Sequence, residues 1–314
     1  FFCGVPDSLL KDFCACVTDS TSGNQHVIAA NEGNAIALAA GHYLATGRPA
    51  VVYMQNSGLG NCINPLLSLI DEEVYKIPLL MLIGWRGEPG IKDEPQHVKQ
   101  GKVTDKILEA CAIDYEVLPQ EPVKANEIIH KACKYIKENS KPFALIIKKG
   151  TFAPYELKNK KDNGFEMTRE EAVITAAQSL EKNAVIVSTT GQISRELYEY
   201  RESAGQLHNQ DFLTVGSMGH ASSIALGIAI EKPERNVYCF DGDGAFIMHL
   251  GALPVIAKTQ VKNFRHIVFN NQAHDSVGAQ PTSADYLDFE HLAKACGYKN
   301  VFCAANKEEL QQCM

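Results

Sequence analysis

Two sets of residues, far apart in the chain, have the types and spacing to do chemistry. The first is Gly242-Asp243-Gly244, followed after 25 residues by Asn270-Asn271. Glycines let a backbone approach a phosphate and take turns that other residues resist. The N–H groups around them can point at anionic oxygens. Asp243 supplies a charged oxygen, Asn271 a neutral one, and a backbone carbonyl around Ala273 a third. With two diphosphate oxygens and a water these make a six-oxygen shell, which suits Mg2+ better than zinc or copper. The plainer alternative is a turn and an unrelated loop.

The second set is Asn31-Glu32-Gly33-Asn34-Ala35. It opens an alanine- and glycine-rich helix expected to run to about Thr46, with Gly47 as its stop. Small residues at 33, 35, 37, 39, 40, 41 and 45 cover nearly every face, so the whole helix is expected to be buried. A carboxylate at the start of a buried helix is costly unless something uses it. The ordinary alternative is a first-turn acid that complements the helix dipole.

Both sets need scaffolds that deliver them to a sheet edge. Apolar runs at 49–55, 78–85 and 143–149 in the first half, and at 183–191, 236–244 and 264–271 in the second, alternate with helical segments. That is the pattern of parallel strands buried on both faces by helices. At 314 residues the chain exceeds the roughly 250 that one core usually serves, so two domains are expected. The fold class is α/β, two doubly wound parallel-sheet domains with no central third domain. Residues 1–150 form the first domain, 151–167 a polar linker, and 168–314 the second, which opens on a capping box, Thr168-x-x-Glu171. Ligands in such folds lie beyond the carboxyl ends of strands, where Gly242-Asp243-Gly244 and Asn270-Asn271 fall.

A net charge of -7 leaves no basic footprint, so nucleic acid is not an expected partner. No run of 18 apolar residues exists to span a membrane, and no secretory signal is visible, so a cytoplasmic location is expected. The cysteines are scattered, and Cys14 and Cys16 lack the Cys-x-x-Cys spacing of zinc or redox sites. They read as small core side chains in a reducing compartment. Phe1-Phe2-Cys3 reads as the end of a strand with residues expected before it, and Glu308 to Met314 as an unfinished helix.

The GDG…NN pattern resembles the diphosphate- and metal-binding motif of thiamine-diphosphate enzymes. The resemblance implies that Asp243, Asn271 and the Ala273 carbonyl bind Mg2+, with Gly242 and Gly244 beside the diphosphate. Many members have a hydroxyl residue after the second glycine; this chain has Ala245. Thr190 and Gly191 match the far end of the diphosphate site. Val215-Gly216-Ser217-Met218-Gly219-His220 resembles the loop under the cofactor's bend. Met218 would hold the two rings in a V, and the Gly216 carbonyl would accept from the 4′-amino group. The resemblance assigns Glu32 to the cofactor's pyrimidine N1′, where it shares a proton and promotes removal of the thiazolium C2 proton.

With the pyrimidine domain first and the diphosphate domain second, the chain is most similar to the phosphonopyruvate decarboxylase family. The matching stretches are 4–13, 54–66, 84–101, 216–229 and 270–282. The resemblance implies decarboxylation of 3-phosphonopyruvate, a small 2-oxo acid, to phosphonoacetaldehyde in phosphonate biosynthesis. It implies Asp7 as a catalytic group, although Asp7 after Pro6 also suits an Asx turn, and a substrate with two anionic groups makes His97 a further catalytic candidate. Arg86, Lys92, Lys99, Gln100, His274 and Gln280 are weaker substrate candidates. A homo-oligomer, dimer or tetramer, with sites between subunits is implied too. The nearest alternative is sulfopyruvate decarboxylase, which usually divides these halves between two chains. A thiamine-dependent 2-oxo acid oxidoreductase subunit would need cluster-ligating cysteine spacings that are absent. A structural subunit without cofactor is the third alternative, and intact Glu32, Asp243 and Asn271 argue against it.

Overall fold

The computed structural model describes residues 1–158 and 163–314. Its residues divide into two units, Phe1–Lys160 with His274–Gln280, and Lys161–Ala273 with Pro281–Met314. The segment 274–280 thus groups with the first unit although it lies late in the sequence. Part of the expected linker, 159–162, lies outside the described residues; its other residues, 151–158 and 163–167, contain neither helix nor strand.

The first unit runs β1 (Phe2–Gly4), α1 (Lys11–Ser20), β2 (His26–Ile28), α2 (Glu32–Thr46), β3 (Ala50–Gln55), α3 (Leu59–Pro65), β4 (Leu79–Gly84), α4 (Pro95–Ala110), β5 (Asp114–Leu118), α5 (Pro122–Asn139) and β6 (Phe143–Ile147). Its strands form one parallel sheet in the order β2-β1-β3-β4-β6-β5. Alternation along the strands splits the core in two. Val52, Met54, Met81, Ile83, Ala144 and Ile146 pack with Ile36 and Ala39 of α2. Tyr53, Leu82, Phe143 and Leu145 pack with Cys14 of α1 and Ile136 of α5. The strand order reverses between β1 and β3, which makes their carboxyl ends the place for a ligand.

The second unit runs α6 (Arg169–Gln178), β7 (Val185–Ser188), α7 (Gln192–Ser203), β8 (Asp211–Leu213), α8 (Ala221–Glu231), β9 (Val237–Gly242), α9 (Asp243–Met248), α10 (Ala252–Thr259), β10 (Phe264–Phe269), α11 (Phe289–Ala295) and α12 (Lys307–Cys313). The Thr168 capping box forms: Glu171 N donates to Thr168 Oγ1 at 3.2 Å and Thr168 N to Glu171 Oε2 at 2.8 Å. The parallel sheet has the order β10-β9-β7-β8, with its reversal between β7 and β9. Val187 and Cys239 face Ala221, Ala225 and Ala229 of α8, while Ile186 and Phe240 face Val173 of α6 and Leu197 of α7.

Two sequence expectations are corrected. Helix α2 is buried on one side only, through Ala35, Ile36, Ala39 and Ala40, while Ala37, Leu38, Gly41 and Leu44 are exposed. Small side chains permit close approach on every face, but packing within the first unit uses one. The cysteines are not all core residues either. Cys3, Cys14, Cys62, Cys111 and Cys239 are buried, whereas Cys16, Cys133 and Cys303 are exposed. Among the described residues no helix is long and apolar enough to cross a membrane.

Candidate active site

Four strand ends of the first unit carry its polar residues. Asp7 follows β1, Glu32 follows β2, Gln55 and Asn56 end β3, and Arg86 follows β4. Asp7 is fully buried. Gln55 Nε2 donates to its Oδ1 at 2.6 Å, across the β1–β3 reversal, and Leu9 N donates to Oδ2 at 3.0 Å. The second contact is the Asx turn, so Asp7 is at once a turn residue and a buried acid. Burial pushes its carboxyl above the usual range, against the pull of the Gln55 and Leu9 hydrogen bonds and the Arg86 charge. Gly84 makes room for it: a Cβ there would lie 2.2 Å from Asp7 Oδ2.

Asn31 caps α2, its Oδ1 accepting from Asn34 N at 2.9 Å, and Gly47 ends the helix in the left-handed conformation. Glu32 is the first helical residue and is buried. Asn61 Nδ2 of α3 donates to its Oε2 at 2.7 Å. Two glycines allow this. A Cβ on Gly58 would lie 2.4 Å from Glu32 Oε1, and one on Gly33 would lie 2.9 Å from Asn61 O. Asn56 ties the neighbouring strand ends together, Nδ2 donating to Arg86 O at 2.8 Å and Thr104 Oγ1 at 2.9 Å.

The loop after β4 folds back on α4. Gly87 has φ 69°, and a Cβ there would meet His97 O at 1.9 Å. Trp85 Nε1 donates to Gly101 O at 2.9 Å. His97 is buried with Nδ1 3.0 Å from Asp93 Oδ1, and the Arg86 guanidinium also engages Asp93. Lys92 and Lys99 are exposed, and Gln100 is half-buried. Of the late segment, Gln280 is fully buried and accepts from Thr18 Oγ1 at 3.0 Å; its Nε2 has no partner among the described residues. Burial pulls His274 down from 6.5 to about 4.

In the second unit the strand ends converge again. β9 and β10 are in register with Gly242 opposite Phe269, so Asp243 and Asn271 sit one and two residues beyond the same rung. Asp243 begins α9, is buried, and accepts a short hydrogen bond from Thr282 Oγ1. Asn271 Oδ1 accepts from Ala273 N at 3.3 Å, and its carbonyl accepts from Asn163 Nδ2 at 2.7 Å. Asp241, also buried, accepts from Gly242 N at 3.0 Å and pairs through Oδ2 with His266 Nε2 at 3.1 Å, which steadies the glycine turn from behind. Gly244 is half-buried and Ala245 buried.

Across the reversal, Thr190 and Gly191 follow β7. Gly191 has φ 102° and caps α7, a conformation that favours glycine and leaves helix N–H groups at the strand end. Thr189 Oγ1 next to them is buried without a partner among the described residues. The loop through Gly216 and Met218 packs close to α9. A Cβ on Gly219 would lie 3.0 Å from Ala245 O, and Met218 is half-buried.

The comparisons with known proteins bear on these two sets of strand ends. Residues 1–108 match the N-terminal TPP binding domain of thiamine pyrophosphate enzymes, and residues 189–314 the C-terminal TPP binding domain. A phosphonopyruvate decarboxylase of Streptomyces hygroscopicus is 33% identical over 98% of this chain and 78% of its own length. One of Streptomyces viridochromogenes is 32% identical over 99% and 80%. The chain belongs to the thiamine pyrophosphate enzyme family. A sulfopyruvate decarboxylase of Methanosarcina acetivorans is 33% identical over 88% of this chain and 74% of its own length. That relative spans both halves in one polypeptide, so their fusion does not separate the phosphonate from the sulfonate enzyme.

This thiamine pyrophosphate enzyme is thus a carboxy-lyase, and its own residues suit the cofactor. Thr189 Oγ1 and the α7 N-terminus offer unspent donors for phosphate oxygens. Gly58 keeps open the space that the Glu32 carboxylate occupies. Several of these supporting residues escaped sequence reasoning: Gln55, Asn56, Asn61, Asp93, Thr189, Asp241, His266 and Thr282. Gln55, Asn56 and Thr189 stand at strand ends and were detectable by position; the others are met only through the fold.

Proposed function

We propose that the protein decarboxylates 3-phosphonopyruvate to phosphonoacetaldehyde and CO2, using thiamine diphosphate and Mg2+. One observation carries the substrate: phosphonopyruvate decarboxylases match 98% and 99% of the chain, against 88% for the sulfopyruvate enzyme. Sulfopyruvate is the second reading, favoured by that single-chain relative.

Mg2+ fits the donor set of Asp243, Asn271 and the Ala273 carbonyl, which is all oxygen. The bound coenzyme supplies an electron sink for the bond that breaks as CO2 leaves. Everything else falls to the chain. Glu32 holds a proton at the pyrimidine N1′, and the Gly216 carbonyl accepts from the 4′-amino group. Met218 would lie beneath the coenzyme, while Thr190, Gly191, Gly242, Gly244 and Ala245 would line its diphosphate. Asp7, whose burial favours its protonated form, delivers the proton that follows loss of CO2.

The substrate presents two anionic groups, and His97, Lys92, Gln100, His274 and Gln280 are the groups offered to them. Gln280 Nε2, without a partner among the described residues, supports its inclusion. Arg86 contributes less than its charge suggests, because Asp93 already engages its guanidinium. The exposed apolar side of α2 supports a homo-oligomer with sites between subunits. A cytoplasmic place in phosphonate biosynthesis follows from the same reading.

The test is CO2 release from 3-phosphonopyruvate and sulfopyruvate in parallel, with and without added thiamine diphosphate and Mg2+. The proposal expects release dependent on both cofactors and at least tenfold higher kcat/KM for the phosphonate, about 1.4 kcal/mol of discrimination. Higher kcat/KM for the sulfonate would replace the substrate; release without the coenzyme would remove the mechanism.

A further inference from the structure

Asp93 lies in the loop between β4 and α4, outside the residue set derived from sequence, yet it gathers more donors than any proposed site residue of the first unit. Arg86 Nε reaches Oδ2 at 2.9 Å and Arg86 Nη2 reaches Oδ1 at 2.5 Å. Gly87 N donates to Oδ2 and Glu94 N to Oδ1, each at 2.7 Å. The fifth donor is His97 Nδ1, 3.0 Å from Oδ1. These bonds hold the carboxyl well below the usual carboxylate range, the Arg86 hydrogen bond foremost.

An ionised carboxylate only accepts hydrogen bonds. The proton between Asp93 and His97 must therefore sit on Nδ1, which in the neutral ring leaves the lone pair on Nε2. The frame around the pair gives little room for another arrangement. A Cβ on Gly101 would lie 1.7 Å from Gly87 O, and Arg86 Nη1 is held by Ser8 Oγ at 2.8 Å. A bidentate guanidinium on the far side keeps the carboxylate plane from turning.

We propose that Asp93 is a positioning residue that fixes His97 as its Nδ1–H tautomer and presents Nε2 to the substrate, with Arg86 serving as the clamp on Asp93. This rests on the reading that His97 acts on the 2-oxo acid. The imidazole then meets an anionic substrate with a set tautomer and ring orientation, and no reorganisation is needed at each turnover.

The test uses full-length protein with thiamine diphosphate and Mg2+ bound, labelled with 15N histidine. Long-range 1H–15N spectra give the tautomer of each ring, and the signal lost in His97→Gln identifies His97. In its neutral ring the wild type is expected to show the proton on Nδ1 and the lone pair on Nε2. A wild-type His97 whose neutral ring carries its proton on Nε2 overturns the proposal outright, whatever the variants do.

Asp93→Asn, which keeps the shape but can donate to Nδ1, should shift His97 toward the Nε2–H tautomer. Its kcat should fall by on the order of 10- to 100-fold. In the His97→Gln background the same substitution should change kcat less than twofold. An unshifted tautomer in Asp93→Asn, or effects that multiply in the double variant, would overturn the proposal. Full activity of His97→Gln would instead sink the assignment of His97 to the reaction, and the tautomer spectra, which need no substrate, keep the two failures apart.

Discussion

Glu32 and Asp243 occupy the same place in two different sheets. Each is the first residue of a helix that follows a parallel strand, and each is buried. Their supports differ. Glu32 receives an amide N–H from Asn61 and lies against a glycine where a side chain would strike it. Asp243 receives a hydroxyl from Thr282 and stands on a turn that Asp241 and His266 brace. A buried carboxyl held by one side-chain amide suits proton exchange with a ring nitrogen. A carboxylate locked on a braced turn suits a metal ion. One motif, acid at a helix start, serves two kinds of chemistry because its neighbours differ.

That contrast can be broken by substitution. The largest effect is expected for Glu32→Gln, which keeps the Asn61 contact in part but removes the exchangeable proton. Turnover should fall on the order of 100- to 10,000-fold while a coenzyme titration changes little. Asp243→Asn should do the reverse of this, weakening Mg2+-dependent coenzyme binding by on the order of 100-fold, as calorimetry would read. Thr282→Val, which removes only the hydroxyl on Asp243, should cost about tenfold in the same titration. Equal binding losses in the Glu32 and Asp243 variants would erase the distinction between the two acids.

The smallest effect concerns His274, which has no counterpart beside either acid. Its folded value, near 4, lies below the ordinary 6.5, so the unfolded chain binds more protons between those values. Its contribution to stability is complete above pH 6.5 and is lost as pH falls toward 4. Denaturant titrations across that window should show a slope of at most about 1.4 kcal/mol per pH unit from this group. The slope should flatten in His274→Gln.

The strands that were legible in sequence are those buried on both faces, such as 79–84 and 143–147. The ones that were not, β2, β5 and β8, are all sheet edges. An edge strand is covered on fewer sides, so Asp114–Leu118 mixes charged and apolar residues and gives no apolar run. Asp243 and Asn271 were legible because glycine and strand context surround them in sequence, and Glu32 because it opens a helix of small residues. Asn61, Asp93 and Thr282 were not, since a hydrogen-bonding partner that arrives from another helix or loop leaves no local pattern. The exposed side of α2 has a related origin: small residues state how near a neighbour can come, and within this one chain only one side of the helix has one.

The most direct test of the central claim is the rate at which the C2 proton of enzyme-bound thiamine diphosphate exchanges with deuterium, read by quenched NMR without substrate. With coenzyme and Mg2+ bound, Glu32→Gln should slow that exchange by on the order of 100-fold or more relative to wild type. Exchange at the wild-type rate in a fully loaded Glu32→Gln enzyme would contradict the account.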